Sequence, residues 1–322
     1  MRFAIVGAGA IGAYLGAKLS QAGEDAYLIA RGPHLRAMQD HGVRVRSPEG
    51  DFEARPTATD DVESIGPVDF AFLTVKAHSL PEIAPLLAPL LGRETSVVSA
   101  QNGIPWWYFQ RHGGPWEGAS LESVDPGGVI ANAIEPHRII GCIIYPSAVI
   151  VEPGVIEHIE GNRFAIGELD GSQSERCKRL SGALAGAGFR CPIRRQIRHD
   201  LWVKLLGNAV FNPMSALTGA TLVEMATHPE AGAVAREAMA EADAVARALG
   251  VELAVSIDQR MVGAEKVGSH KTSMLQDLET GRPLELESVV GVVIELGEKL
   301  GIPMPHTRTL YACTKLLAQG RA

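Results

Sequence analysis

Cysteine is scarce in this chain. There are four residues, Cys142, Cys177, Cys191 and Cys313, and none forms a CxxC pair. A disulfide scaffold is therefore not expected; reduced, mostly structural thiols and a cytoplasmic location are. Clustered positive charge is also missing. The 322 residues carry a net charge of −7 with no basic block, which argues against nucleic acid or an anionic membrane as the main partner. No uncharged run reaches about 18 strongly apolar residues, so no membrane span is expected. The apolar start MRFAIVGAGAIGAYLGAKL is interrupted by four glycines and lacks the charged lead and cleavage context of a signal peptide. Repeats and low-complexity tracts are absent, and no metal site is expected. Aromatic residues make up only 5% against 35 glycines, a balance that suits an α/β protein with many tight turns.

What is present alternates in period. RFAIV, AYLIA, DFAFLTV and TSVVSA read as short buried strands, interleaved with a helix to about residue 22 and another over about 79–91. Strands alternating with helices imply a parallel sheet covered on both faces. VRVRSPEGDFEARPT reads as a hairpin about Pro48-Glu49-Gly50. The stretch from 138 to 168 reads as successive antiparallel strands, turning at Pro153-Gly154 and Gly161-Asn162 and extending the same sheet. A helix over about 173–187 and a short strand at Phe189–Ile193 close this half. From about 196 onward the pattern is helical. The expected architecture is an N-terminal Rossmann-like dinucleotide-binding domain with a mixed sheet, residues 1–195, and an all-helical domain, residues 196–322.

Gly7, Gly9 and Gly12 match G-x-G-x-x-G between a strand and a helix, the context that gives this weak pattern meaning. The turn Gly7, Gly9, Ala10, Ile11, Gly12 would bring backbone and a helix N-terminus to a pyrophosphate. An NAD binder usually places an acid at the end of the second strand; this chain has Arg31 there, and an arginine can clamp a 2′-phosphate. NADP(H) is the expected cofactor. Lys76 and Asn102 follow two of the strands, at the carboxyl ends where such sheets bind ligands.

KLLGNAVFN raises a different question. Lys204, Asn208 and Asn212 recur every fourth residue on an otherwise apolar helix, forming one polar stripe. A buried amide without a partner costs about 1–3 kcal/mol, so the stripe must be satisfied or serve a ligand. Further on, Ser273 opens a helix in TSMLQD, and Glu285 and Glu287 start another.

The order of IVGAGAIG, Arg31, TVKA, QNG, LWVKLLGNAVFNP, TSMLQD and GRPLELESVVG resembles the ketopantoate reductases (2-dehydropantoate 2-reductases) over nearly the whole chain. The resemblance implies NADPH-dependent reduction of a 2-oxo acid in a cleft between the two domains, with 2-dehydropantoate the best single guess. It implies that Lys204 is the general acid and that Glu285 hydrogen-bonds a substrate hydroxyl. By the same resemblance Asn208 and Asn212 frame the substrate, Ser273 lies near its carboxylate, and Asn102 lies beside nicotinamide and substrate. The chain departs from the family where T-E-I-D is common, reading L-E-L-E, and in the aromatic stretch after Asn102. Two alternatives stand: a reductase of another branched or aromatic 2-oxo acid in a catabolic route, and a non-catalytic NADP-binding sensor. The alanine-rich helix 229–249 is a candidate homodimer contact, though packing within its own domain is the simpler assignment. Trp106, Trp107, Tyr108, Phe109 and Trp116 pose a last choice, between core packing on a helix opened by Pro105 and a cover over the nicotinamide.

Overall fold

The computed structural model describes residues 1–320. The first half carries β1 (Arg2–Val6), α1 (Ala10–Gln21), β2 (Asp25–Ile29), α2 (Gly32–His41), β3 (Val43–Arg46), β4 (Phe52–Ala54), β5 (Thr57–Thr59), β6 (Phe70–Leu73), α3 (Leu80–Ile83) and β7 (Ser96–Ser99). It continues through α4 (Val129–Ala133), β8 (Ile139–Ile144), β9 (Ser147–Glu152), β10 (Val155–Glu160), β11 (Phe164–Glu168) and α5 (Glu175–Gly186). The remainder is helical: α6 (Ile197–Thr218), α7 (Leu222–Thr227), α8 (Pro229–Ala248), α9 (Ile257–Val267), α10 (Ser273–Glu279), α11 (Val292–Leu300) and α12 (Pro305–Gln319), with a π-turn at Glu287–Gly291 leading into α11. Contacts divide the chain into two units. One holds Met1–Gln101, Trp106–Ser120 and Gly127–Ile197; the other holds Asn102–Pro105, Leu121–Pro126 and the chain from Arg198 onward.

In the first unit the main sheet runs β11-β8-β7-β6-β1-β2-β5, with β11 antiparallel to β8 and every other neighbour parallel. The expectation of a single sheet is corrected here. Of the strands between 138 and 168, β8 and β11 join the main sheet, while β9 and β10 form a second sheet of order β4-β3-β10-β9. The burial patterns give the reason. β11 is buried at every position, as a strand covered on both faces must be, whereas β10 alternates and β9 is half exposed. The second sheet covers α1, which packs on β1 and β2 on one side and on β3, β4, β9 and β10 on the other. A helix enclosed by two sheets needs small residues where it is closely approached, and α1 buries Gly12, Ala13, Gly16 and Ala17. Its one large polar ring, Tyr14, stacks on His158 of β10 at 4.5 Å.

The helix expected over 79–91 is also corrected. Residues 77–90 form a 3-10 turn, the single turn α3, and a second 3-10 stretch. Pro81, Pro85 and Pro89 recur every fourth residue, and each lacks the N–H that an α-helix would bond four residues back. Nor does Pro105 open a helix: residues 106–111 are turns.

In the second unit α8 buries its small residues, including Gly232, Ala235, Ala238 and Ala242, and packs on α7, α9, α11 and α12. The alanine-rich face is thus core of its own unit. On the same helix the Glu241 carboxylate accepts the His306 and Thr307 backbone N–H groups, each at 2.9 Å, and caps α12.

Candidate functional site

The glycine turn lies in the first unit. Gly7 has φ +94°, and a Cβ there would overlap Val75 Cγ1 and stand 2.7 Å from the Val75 nitrogen. At Gly12 a Cβ would stand 2.5 Å from Gly7 O and 2.6 Å from Thr74 Oγ1. The Thr74 hydroxyl donates to Gly7 O at 2.9 Å, so the turn is clamped onto the end of β6. Gly9 is different: the nearest atom to a Cβ there is Gly7 O at 4.0 Å, which leaves its face open. The first helical bond, Ala13 N–H to Gly9 O at 2.8 Å, leaves the N–H groups of Ala10, Ile11 and Gly12 ahead of the ladder. No acid lies in that first turn. An open glycine face before an uncapped, acid-free helix N-terminus fits a dinucleotide pyrophosphate.

Arg31 is exposed at the N-cap of α2, just past β2. Lys76 begins the 3-10 turn after β6 and is half-buried. Two nearby residues to which the sequence reading assigned no role tie this region together. Gln101 Nε2 donates to Leu73 O at 2.6 Å while its Oε1 accepts from Ser99 Oγ at 2.8 Å, joining the carboxyl ends of β6 and β7. His34 Nδ1 accepts the Gly154 N–H at 3.0 Å; burial lowers its pKa, the Ala8 backbone opposing.

The polar constellation lies wholly in the second unit. Asn102 Oδ1 accepts from Lys204 Nζ at 2.8 Å, and Asn102 Nδ2 stands 3.5 Å from Glu285 Oε2. One amide thus bridges a cation on α6 and a carboxylate at the mouth of the π-turn. A small hollow is lined by Asn102, Asn212, Ser273, Met274, Asp277, Glu285 and Val289. Of the expected residues, the structure brings together Asn102, Asn212, Ser273 and Glu285 around this hollow, with Lys204 joined to it through Asn102. Asn208, part-buried on α6 between Lys204 and Asn212, does not line it. Asn212 is only 6% exposed.

Local structure explains each placement. Lys204 and Asn212 are eight residues apart on one continuous helix, about 12 Å along its axis and on neighbouring faces. Ser273 is the first residue of α10, whose N-cap Thr272 accepts the Leu275 N–H at 3.3 Å. Glu285 directly precedes the helical turn that becomes the π-turn, a geometry often found at functional sites. Asp277 was not singled out from the sequence. It lines the hollow from α10 and pairs with Arg282 at 3.3 Å, tying that helix to the turn that delivers Glu285.

The aromatic stretch resolves as core. Trp106, Trp107, Tyr108 and Phe109 are each 3% exposed or less, and the Trp107 ring fills the space above Gly141 on β8. Trp116 stacks on Phe109 at 5.5 Å. The cover over the nicotinamide is therefore set aside, because these side chains are packed into the sheet unit.

Among the described residues no group of three or more potential ligands could hold a metal ion, and no helix is long and apolar enough to cross a membrane. All four cysteines are free thiols, three of them buried; burial pushes Cys177 up to about 11 and Cys191 to about 12, so neither is poised as a nucleophile.

Known proteins match this arrangement along its length. The family described as "Ketopantoate reductase PanE/ApbA" matches residues 3–106, and its "C terminal" counterpart matches residues 196–318. A curated 2-dehydropantoate 2-reductase of Mesorhizobium japonicum is 47% identical, covering 100% of this chain and 99% of its own. The crystal structure of 2-dehydropantoate 2-reductase from Geobacter metallireducens superposes with a TM-score of 0.86 at 28% identity, covering 98% of this chain and 99% of that one. D-mandelate dehydrogenase, in a ternary structure with NADH and anilino(oxo)acetate, gives the same TM-score of 0.86 at 21% identity, covering 100% and 99%; that likeness is one of fold alone.

Proposed function

The chain belongs to the ketopantoate reductase family, and on that premise we propose that it reduces 2-dehydropantoate to pantoate with NADPH, in pantothenate biosynthesis in the cytoplasm. The observation that carries the reading is the single amide bridging Lys204 and Glu285 beside a polar hollow. A protein that only sensed the cofactor would have no use for that pair.

NADPH, when bound, supplies the hydride. The open turn at Gly9 with the N–H groups of α1 would hold its pyrophosphate, and Arg31 its 2′-phosphate. Lys76 adds a cation at the end of β6. We assign these cofactor contacts to residues 1–195 and the proton chemistry to residues 196–322 with Asn102.

As the carbonyl carbon of the 2-oxo acid is reduced, negative charge grows on its oxygen. The Lys204 ammonium stabilises that charge and donates its proton to the oxygen. Asn102 holds the ammonium by accepting one of its N–H bonds. Ser273 and Asn212 offer donors to the substrate carboxylate, and the Glu285 carboxylate accepts from its hydroxyl. Asn208 frames the stripe from the same helix. The lining favours a small hydroxylated acid over an aromatic one, because five of its seven residues are polar and none is aromatic.

The test is a panel of 2-oxo acids followed by loss of NADPH absorbance, repeated with NADH. The highest kcat/KM is expected with 2-dehydropantoate and NADPH. Preference for an aromatic or unhydroxylated acid would overturn the substrate assignment. Tight NADPH binding with no turnover of any acid would make the protein a sensor.

A further inference from the structure

Asn102 owes its place to the residue after it. Gly103 has φ +84°, and a Cβ there would overlap both the carbonyl oxygen and the carbonyl carbon of Ser288 and stand 3.0 Å from the Val289 nitrogen. These are backbone atoms of the π-turn and cannot swing aside as a side-chain tip could. The next residue closes the contact: Ile104 N–H donates to Ser288 O at 2.9 Å, and the Ile104 side chain is fully buried. Two consecutive backbone units of the Asn102–Pro105 segment therefore lie flat on the π-turn. Its Val289 lines the same hollow as Asn102 and Glu285.

The π-turn is fastened from its far side. The Glu287 carboxylate accepts from Tyr311 Oη at 2.8 and 3.0 Å and from Lys315 Nζ at 3.0 Å, both on α12. It folds over Gly291, whose missing side chain leaves room for it: a Cβ there would overlap Glu287 Oε2 and stand 3.3 Å from the Tyr311 ring. The wide turn is thus held between α12 and the Asn102–Pro105 segment.

We infer that the π-turn Glu287–Gly291 is a seat for the Asn102–Gly103 turn, and that Gly103 is a positioning residue that sets the Asn102 amide between Lys204 and Glu285. The inference rests on the reductase reading above. Glu285 stands two residues before the seat and Asn102 immediately before Gly103, so one backbone contact fixes the separation of the two side chains. Any side chain at residue 103 lifts the turn off Ser288 and moves the amide by a distance comparable with a carbon radius. Misplacement of that size in a reacting constellation lowers rate steeply without abolishing binding.

The experiment is a double-mutant cycle on the full chain. Gly103→Ala should lower kcat about 10- to 100-fold, while the NADPH Kd measured by fluorescence titration stays within about twofold. Gly113→Ala serves as control, because Gly113 also has positive φ (+75°) but open space around its missing Cβ. The control places a side chain at a positive φ without the clash and should leave kcat unchanged. If Gly103 acts through Asn102, Gly103→Ala/Asn102→Ala is no slower than Asn102→Ala alone. Multiplied losses in the double variant, or a Gly103→Ala enzyme as fast as wild type, would overturn the inference while leaving the reductase reading intact. A wild-type chain that turns over no 2-oxo acid would defeat that reading instead. Should Gly103→Ala fail to fold, amide exchange in the unmodified protein decides: the Ile104 N–H must exchange as slowly as that of Val289, and rapid exchange at Ile104 would mean the segment is not seated.

Discussion

Replacing Asn102 probes the site at the point where its charges meet. Asn102→Ala removes an acceptor 2.8 Å from the Lys204 ammonium and a donor 3.5 Å from the Glu285 carboxylate. A hydrogen bond to a charged group is worth about 1.5–3 kcal/mol. The second contact is at the limit of hydrogen-bond length and adds little. At about 1.4 kcal/mol per tenfold in rate, the loss is about 10- to 150-fold. If the amide orients the proton donor as proposed, the loss should fall on kcat, while the NADPH Kd stays within about twofold. Asn102→Asp sharpens the test. The change is nearly isosteric, but it puts a carboxylate against Lys204 and beside Glu285. An adjacent negative charge favours the ammonium, so the Lys204 pKa rises and the alkaline loss of activity moves to higher pH. The acid is also weaker, so the plateau rate falls. Steady-state kinetics across pH, with product formation followed by NADPH absorbance, reads both effects. If both variants keep kcat within about threefold of wild type and the pH profile does not move, the amide bridge takes no part in the reaction.

The other expectations are independent of Asn102. Lys204→Ala should lower kcat about 10²- to 10⁴-fold with little change in the NADPH Kd; a near-normal kcat would make the α6 stripe structural. Arg31→Ala should weaken NADPH binding about 10- to 150-fold by titration while leaving NADH nearly unchanged, and equal effects on both would remove Arg31 from the 2′-phosphate site. Arg176→Ala should destabilise the sheet unit by about 3–5 kcal/mol, because the Glu168 carboxylate, 3% exposed, accepts Arg176 Nε at 2.7 Å and Nη2 at 2.5 Å and would be left buried without its counter-charge, with the Ser174 hydroxyl still donating. Burial pushes the Glu168 pKa upward, but the Arg176 and Ser174 bonds outweigh it and hold the carboxyl below its ordinary value. That stabilisation is complete above the unfolded carboxylate value of about 4.3 and is lost as pH falls through the lower folded one. Without Arg176 burial prevails and the sign reverses, so thermal melts should show the largest gap between variant and wild type near neutrality and a narrowing gap toward acid. A gap that does not change with pH would show that Glu168 is not the group involved.

Much of the fold was legible because its signals are local. The glycine turn, the buried strands and the start of α10 are written within a few residues of where they act. What was not legible depends on partners distant in sequence. Nothing in SAVIVE and VIEHIE says that they pair with each other, and VIEHIE with VRVR, rather than with IIGCII. That choice follows from the polar outer face of β10 and from α1, which the second sheet covers. The broken helix over 77–90 was readable from its three prolines, and a mean apolar pattern concealed it. The aromatic stretch shows a limit of composition: four buried rings in succession look equally like a lid or a core until the space above Gly141 on β8 is seen.

Most residues of the candidate site could be picked out from the sequence, but the reason they converge could not. Lys204 and Asn212 announce themselves as polar groups on an apolar helix, and Glu285 as an acid at a helix start. Asn102 lies in the N-terminal half of the sequence, yet by its contacts it belongs with the helical unit. It does so because the backbone at Gly103 and Ile104 rests on a turn wound one residue wider than an α-helix. A π-turn has no compositional signature; GVV and SVV read as ordinary helix. Its evidence is spread over Gly103, Gly291, Glu287 and Tyr311, four residues that are unremarkable singly and separated by up to about two hundred positions. The Glu287 carboxylate, conservative on paper, acquires a role from reaching α12 and holding the turn open on that side. The side chains of the candidate site are thus ones that a sequence displays, and their alignment rests on backbone packing that only the folded chain displays.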